Sequence, residues 1–311
     1  MSGAPLSRRR CACDNRPVTP HVGWRPLEVP DPAQGVTIPV HVLYPTDAPS
    51  SPVAFGPYAL ELARAAPIAG AGLPVVAISH GQTGTPWSHR GLAAHLARAG
   101  FAVVLVEHPG DSRRDPGLAG TAANLANRPR HVRLALDAVF ADATLAPTLA
   151  PGRAAVIGHS IGGYTVLACA GGHPLALPNQ AADGVARPVP VEPDPRIVAV
   201  ALLAPALPWL MAPGALADVR ARVYARAGAL DELAPPYVIE RILGGLPSTT
   251  PLDYQVVPGC GHFGFQSPFP PALAQQPGFA PAHDPPGFDR AAYQAQLAAE
   301  LAASLTAALA A

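Results

Sequence analysis

The amino-acid sequence predicts an α/β protein, a doubly wound, mostly parallel sheet with helices on both faces. Two observations carry that expectation. Short apolar runs rich in β-branched residues occur at 73–79 (LPVVAIS), 101–107 (FAVVLVE) and 197–204 (IVAVALLA). They lack the alternation of a half-solvated strand, and continuous runs of that length mark strands buried on both faces. Helical segments stand between most of these runs, and repeated strand–helix units of this size build a parallel sheet.

Residues 1–22 read as a disordered tail and 23–311 as a single domain. Segment 36–44 partly alternates and stops at Pro45, as an early strand would. After the 73–79 strand, a helix over 87–99 places Leu92, Leu96 and Ala99 on one face, and Gly100 supplies the stop. The 101–107 strand leads to a helix over 130–140, where Val132, Leu136 and Val139 come together. A strand at 154–158 and a helix at 161–170 follow. Beyond the 197–204 strand come strands at 222–227 and 254–257, a helix at 235–243, and an Ala-rich amphipathic helix at 288–310. The exception to this rhythm is 171–196, a Pro/Gly-rich insertion too long for an ordinary connection. Such a loop is usually an active-site cover or disordered.

Composition excludes several chemistries. The chain has 311 residues with Lys+Arg 21 and Asp+Glu 21, and all of those cations are Arg. Without Lys there is neither a Schiff base nor a Walker A phosphate loop. A net charge of zero with 14% charged residues lacks the basic footprint of a nucleic-acid binder. No apolar run reaches the ~18 residues that suggest a membrane span. Arg8, Arg9 and Arg10 are followed by no apolar stretch, so a signal peptide is not expected and a cytoplasmic location is. Cys11 and Cys13 are one residue apart, which fits neither a zinc nor a redox CxxC motif. The oligomeric state is left open.

The most informative segment is AAVIGHSIGG at 154–163. Its Gly158-His159-Ser160-Ile161-Gly162 is a G-x-S-x-G between a buried strand and a helix. A nucleophile there stands on a sharp turn, so its neighbours two residues either side must be small for strand and helix to pass closely. The turn also places Ser160 at a helix N-terminus, whose partial positive charge favours an anionic transition state. Serine at its own pKa is a poor nucleophile and needs a base and an orienting acid, here in the order Ser, acid, His. His173, His262 and His283 follow Ser160. His262 lies in the flexible loop PGCGHFG just past the last expected strand, whereas His173 is too close to Ser160 and His283 has no strand before it. Asp231 follows the 222–227 strand and so sits where catalysis collects in open α/β sheets. Adjacent Glu232 is the alternative. The oxyanion hole needs two backbone N–H groups: that of Ile161, and that of Gln82 in the Gly-containing loop SHGQTG after the 73–79 strand. His80 in that loop reads as a structural hydrogen-bonding residue. No metal or organic cofactor is required.

With these residues assembled, the chain resembles the α/β-hydrolase superfamily over about residues 36–310. It is most similar to dienelactone-hydrolase-like and platelet-activating-factor-acetylhydrolase-like esterases, near the bacterial polyester hydrolases. The segments carrying the resemblance are Tyr44-Pro45-Thr46, Ser79-His80-Gly81, Glu107-His108-Pro109-Gly110-Asp111-Ser112, Gly158 to Tyr164, Ala229-Leu230-Asp231-Glu232 and Gly261-His262-Phe263. The resemblance implies an α/β-hydrolase fold and a serine hydrolase of small-molecule esters. Two departures matter. Dienelactone hydrolases proper carry a Cys nucleophile, where this chain has Ser160. Polyester hydrolases carry an aromatic clamp, where this chain has Gln82 and Pro205-Ala206-Leu207.

A carboxylic ester hydrolase of small or medium acyl substrates is therefore expected. A thioesterase, amidase or polyester hydrolase would use the same triad, and a non-catalytic binding protein on the same fold is a different class. Trp87, Leu207, Trp209 and Phe263, with Phe265 and Phe269, lie on loops near the expected strand ends. They form either an apolar substrate pocket or loop packing. Arg113 and Arg114 form either a solvated rim or a contact for an anionic substrate.

Overall fold

The structure, a computed structural model, describes residues 21–180 and 183–310. Four strands come first: β1 (His21–Asp31), β2 (Val36–Thr46), β3 (Ser51–Phe55) and β4 (Tyr58–Arg64). Then β5 (Leu73–Ser79), α1 (Arg90–Arg98), β6 (Ala102–Val106), α2 (Ala122–Ala141), β7 (Leu149–His159) and α3 (Ile161–Cys169) alternate. A small two-stranded sheet of β8 (Leu175–Ala176) and β9 (Arg187–Pro188) interrupts them. The chain ends with β10 (Ile197–Leu203), β11 (Arg222–Gly228), α4 (Pro236–Leu243), β12 (Leu252–Val257), α5 (Pro271–Ala274) and α6 (Arg290–Ala310).

The main sheet runs β12-β11-β10-β7-β5-β6-β2-β1-β4-β3. All pairings from β12 to β6 are parallel, while β2 is antiparallel to both β6 and β1. The continuous apolar runs are the parallel strands, and alternate residues feed two cores. Val75, Ala77, Val156 and Leu202 pack under α2, α3 and α4, whereas Val76, Ile78, Ile157 and Leu203 pack under α1 and α6. The α6 stripe of Leu297, Leu301 and Leu305 is spaced to bury one face of an otherwise Ala-rich helix.

Four elements differ from expectation. Strand β1 begins at His21, inside the stretch expected to be a tail; residues 1–20 lie outside the described residues. Pro26 and Pro30 hide this strand from sequence reading. Past Trp24, β1 is paired only with β2 among the described residues, the edge setting in which prolines interrupt no second ladder. Strands β3 and β4 form a short antiparallel pair at the sheet's end. Helix α2 starts eight residues before the expected 130, because the Thr121 side chain accepts from the Asn124 N–H and Pro129 is accommodated inside the helix.

Candidate active site

The chain crosses from one side of β5 to the other, since β5 pairs with β6 on one flank and β7 on the other. That is the switch point of a doubly wound sheet, where a crevice opens beyond the strand ends. Two loops meet there. One leaves β5 at His80 and the other is the turn from β7 into α3.

Ser160 forms that turn with φ 55 and ψ −124, a backbone conformation rare for a residue with a side chain. Such strain costs of order 1–3 kcal/mol and persists only where surroundings impose it. The surroundings are severe. A Cβ on Gly158 would lie 2.1 Å from the Gly162 carbonyl oxygen, and one on Gly162 would lie 2.2 Å from the Ser79 oxygen. One on Gly163 would meet Pro205 Cβ at 2.4 Å. Glycines therefore let α3 press against β5, β7 and the end of β10. The Ser160 N–H donates to Leu203 O and its carbonyl accepts from the Ala206 N–H. Ile161 opens α3, so its N–H is one of those a helix leaves without an internal acceptor.

His262 and Asp231 are brought together. The His262 Nδ1–H donates to Asp231 Oδ2 over 2.8 Å, with the two side chains 7% and 0% exposed. Asp231 cannot rotate away, because its Oδ1 accepts from the N–H groups of Leu233 and Ala234. The turn after β11 thus aims one carboxylate oxygen at the imidazole. Gly228 passes so close to Cys260 that a Cβ there would lie 2.6 Å from the Cys260 oxygen, which seats the His262 loop on the strand end. Glu232 is exposed, pointing away from this contact.

Nothing in the sequence singles out His159, yet it joins the two halves. Its Nε2–H donates to the His262 carbonyl over 3.0 Å, and Gln266 Nε2 approaches its Nδ1 at 3.5 Å. Burial, with the His262 ring nearby, holds the His159 pKa well below the ordinary imidazole value. The neutral ring keeps one N–H, and that N–H goes to the base-bearing loop from the residue beside Ser160. Its position inside the G-x-S-x-G was the only available signal.

The loop after β5 approaches from the other side. A Cβ on Gly81 would lie 3.3 Å from Ser160 Cβ and 3.1 Å from His159 Nδ1. Gln82 is exposed and lines a cavity of about 210 Å³ with Tyr58, Thr83, Phe263, Phe269 and Phe279. His80 is fully buried, with Nδ1 on the Gly81 carbonyl and Nε2 accepting from the His108 N–H. Burial and the neighbouring Arg128 charge keep it neutral.

Of the expected pocket residues, Phe263 and Phe269 line this cavity. Trp87 lines an adjoining cavity of about 320 Å³, stacked on Phe55 at 3.6 Å, and Arg113, Tyr58 and Thr85 border both spaces. Leu207 and Trp209 do not line either one. Both are buried in the core with α3, where Trp209 stands edge-on to Tyr164 and donates its indole N–H to Gln180. Phe265 is fully buried against Tyr293. Apolarity at a loop position marked these side chains, but burial sends them into the scaffold. Arg113 and Arg114 are exposed, and neither pairs with a carboxylate among the described residues.

The described part of 171–196 is no cover over this cavity. Pro190, Val191 and Glu192 lie along α2 beside Ala126, Arg130 and Arg133, with Glu192 ion-paired to Arg133. The cavity is lined instead by Tyr58 of β4, the loop after β5, Arg113 and the stretch between His262 and α6. Among the described residues, no three His, Cys, Asp or Glu side chains group as metal ligands would. Cys169 and Cys260 are buried free thiols, and burial pushes Cys260 up to about 12. No helix of the described residues is long and apolar enough to cross a membrane.

No protein-family model and no curated protein sequence matches the chain. Solved structures do. A ferulic acid esterase from Streptomyces cinnamoneus matches with a TM-score of 0.69 at 19% identity, over 97% of this chain and 91% of the other. A dienelactone hydrolase-like promiscuous phosphotriesterase from metagenomic libraries gives 0.59 at 15%, over 93% and 99%. A dienelactone hydrolase from Anabaena variabilis gives 0.53 at 16%, over 90% and 97%. At these identities the likeness is one of fold, and the fold is that of the α/β-hydrolases.

Proposed function

We propose that this α/β-hydrolase-fold chain is a serine hydrolase cleaving carboxylic esters of small or medium acyl substrates through Ser160, His262 and Asp231. The observation that carries the reading is the strained Ser160 at the β7–α3 turn, whose neighbour His159 bonds the carbonyl of His262 in the buried His262–Asp231 pair. Strain of that kind at an otherwise well-packed turn has no value for stability, but it projects a nucleophile. The solved structures sharing the fold include proteins named as esterases and hydrolases of esters, which supports the same class.

In this reading His262 takes the Ser160 proton as the hydroxyl oxygen attacks the ester carbonyl. Asp231 keeps the Nδ1 proton in place, so that Nε2 is the free base, and stabilises the imidazolium that forms. The developing oxyanion meets the N–H groups of Ile161 and Gln82. Each such donor is worth about 10²–10³ in rate. His262 then protonates the leaving alcohol, water attacks the acyl-enzyme by the same route, and Ser160 is released. The cavity at Gln82, about 210 Å³, shares Tyr58, Thr85 and Arg113 with the adjoining one of about 320 Å³, space in keeping with small or medium acyl groups.

The test is a hydrolysis screen over p-nitrophenyl esters of increasing acyl length, with lactones, a thioester, an anilide and a polyester, and Ser160→Ala as control. Turnover of short esters that disappears in Ser160→Ala is expected. Equal turnover in both proteins would overturn the assignment, as would a silent panel with no fluorophosphonate labelling.

A further inference from the structure

We infer that the buried Arg128–Asp111 ion pair is a clamp that positions the oxyanion hole, an inference resting on the serine-hydrolase reading above. Both side chains are 0% exposed, with Arg128 Nη1 2.8 Å from Asp111 Oδ2. Arg128 lies on α2 and Asp111 in the loop after β6, so neither belongs to the triad or to the loops that carry it.

Their remaining hydrogen bonds converge on the site. Arg128 Nη2 donates to the His80 carbonyl and, over 3.2 Å, to Ser79 Oγ at the end of β5. Asp111 Oδ1 accepts from the Thr83 N–H over 2.8 Å, and Asn124 steadies Oδ2 at 2.8 Å. The peptide of Gln82, which carries the expected oxyanion donor, therefore lies between two points gripped by one ion pair. His80 is held before it and Thr83 after it. Thr83 has φ 49, a left-handed conformation in which a branched residue does not stay unaided. A third contact reaches the carbonyl of Ile161, the residue whose N–H is the other expected donor. Arg128 Nε donates to Thr165 Oγ1 over 3.0 Å, and the Thr165 hydroxyl donates to the Ile161 carbonyl over 3.0 Å.

Stability alone does not account for this arrangement, because a buried ion pair is often replaceable by apolar side chains at little or no cost to the fold. A donor array that must be aimed before the reaction begins needs rigid support, and charge-assisted hydrogen bonds in a dry interior supply it. Arg128 and Asp111 touch no substrate in this account; they are positioning residues.

The experiment compares Asp111→Asn, Arg128→Met, the double variant and Thr165→Val with wild type on a matched oxoester and thionoester. Rates are normalised to fluorophosphonate-titrated sites. The thionoester places sulfur, a larger and weaker acceptor, in the oxyanion hole, so the oxo/thiono rate ratio reports the aim of the donors and not the folded fraction. Expected is a fall in oxoester kcat of about 10- to 100-fold with KM nearly unchanged, and a lower oxo/thiono ratio. The double variant is expected to lose no more than the worse single variant, since the pair acts as a unit. It leaves no lone buried charge, and so supplies the readout if a single variant fails to fold. Thr165→Val keeps the pair and is expected to lower the ratio by about twofold or more. An unchanged ratio across the folded variants would overturn the clamp. Wild-type turnover independent of Ser160 would overturn the serine-hydrolase reading itself, a separate outcome.

Discussion

Replacing Ser160 by Gly and by Ala separates the cost of the turn from the loss of the hydroxyl. Both variants lose the nucleophile. Only Gly adopts φ 55 and ψ −124 without clash, whereas Ala keeps a Cβ and hence the strain. The strain is about 1–3 kcal/mol, and the extra freedom of Gly in the unfolded chain returns about 0.4–1 kcal/mol. Ser160→Gly is therefore expected to be more stable than Ser160→Ala by about 1 kcal/mol. With a urea m-value near or above about 3 kcal/mol/M for a chain of this size, the midpoint should rise by about 0.3 M. Equilibrium urea unfolding followed by tryptophan fluorescence measures it. A Gly variant no more stable than the Ala variant would refute the claim that Ser160 is held in a strained conformation.

Other outcomes follow from the same geometry. Asp231→Asn should leave the fold intact, with the Leu233 and Ala234 amides still bonded, yet lower kcat on a p-nitrophenyl ester by about 10⁴, because the His262 tautomer is no longer fixed. Gly162→Ala should cost roughly 1–3 kcal/mol or more of stability by urea unfolding, since its methyl would lie 2.2 Å from the Ser79 oxygen, a backbone atom that has no room to retreat. Burial lowers the pKa of His89 to about 4 from 6.5, so the folded state holds it neutral while the unfolded chain takes up its proton. The stability it confers is full above pH 6.5 and is lost as pH falls towards 4, at up to about 1.4 kcal/mol per pH unit. The urea midpoint should accordingly drop across that window and drop less in His89→Asn; equal slopes would contradict the assignment.

The parallel half of the sheet was legible because its strands are buried on both faces and carry that fact in unbroken β-branched runs. The places of Ser160, His262 and Asp231 just past strand ends were legible for a related reason, since each follows a recognisable strand. What escaped was of two kinds. Strands β1, β3 and β4 lie at or near the sheet's end, where alternation is short and Pro26, Pro30 and Pro52 obscure it. They include Tyr58, a wall of the cavity. The second kind is polar burial. Arg128, Asp111 and His159 are charged or titratable, so periodicity assigns them no place in a core. Only the three-dimensional neighbourhood shows that each is enclosed and bonded on several sides. For Leu207 and Trp209 the sequence leaves pocket and packing open; both are buried with α3 and line neither cavity described above.

In the proposed function Ser160 is the nucleophile. Intact-protein mass spectrometry after treatment with a fluorophosphonate, followed by peptide mapping, tests it most directly. One adduct per chain is expected, located on Ser160, formed in step with loss of ester hydrolysis and absent from Ser160→Ala. An adduct on another residue, or full hydrolysis by the fully labelled protein, would contradict it.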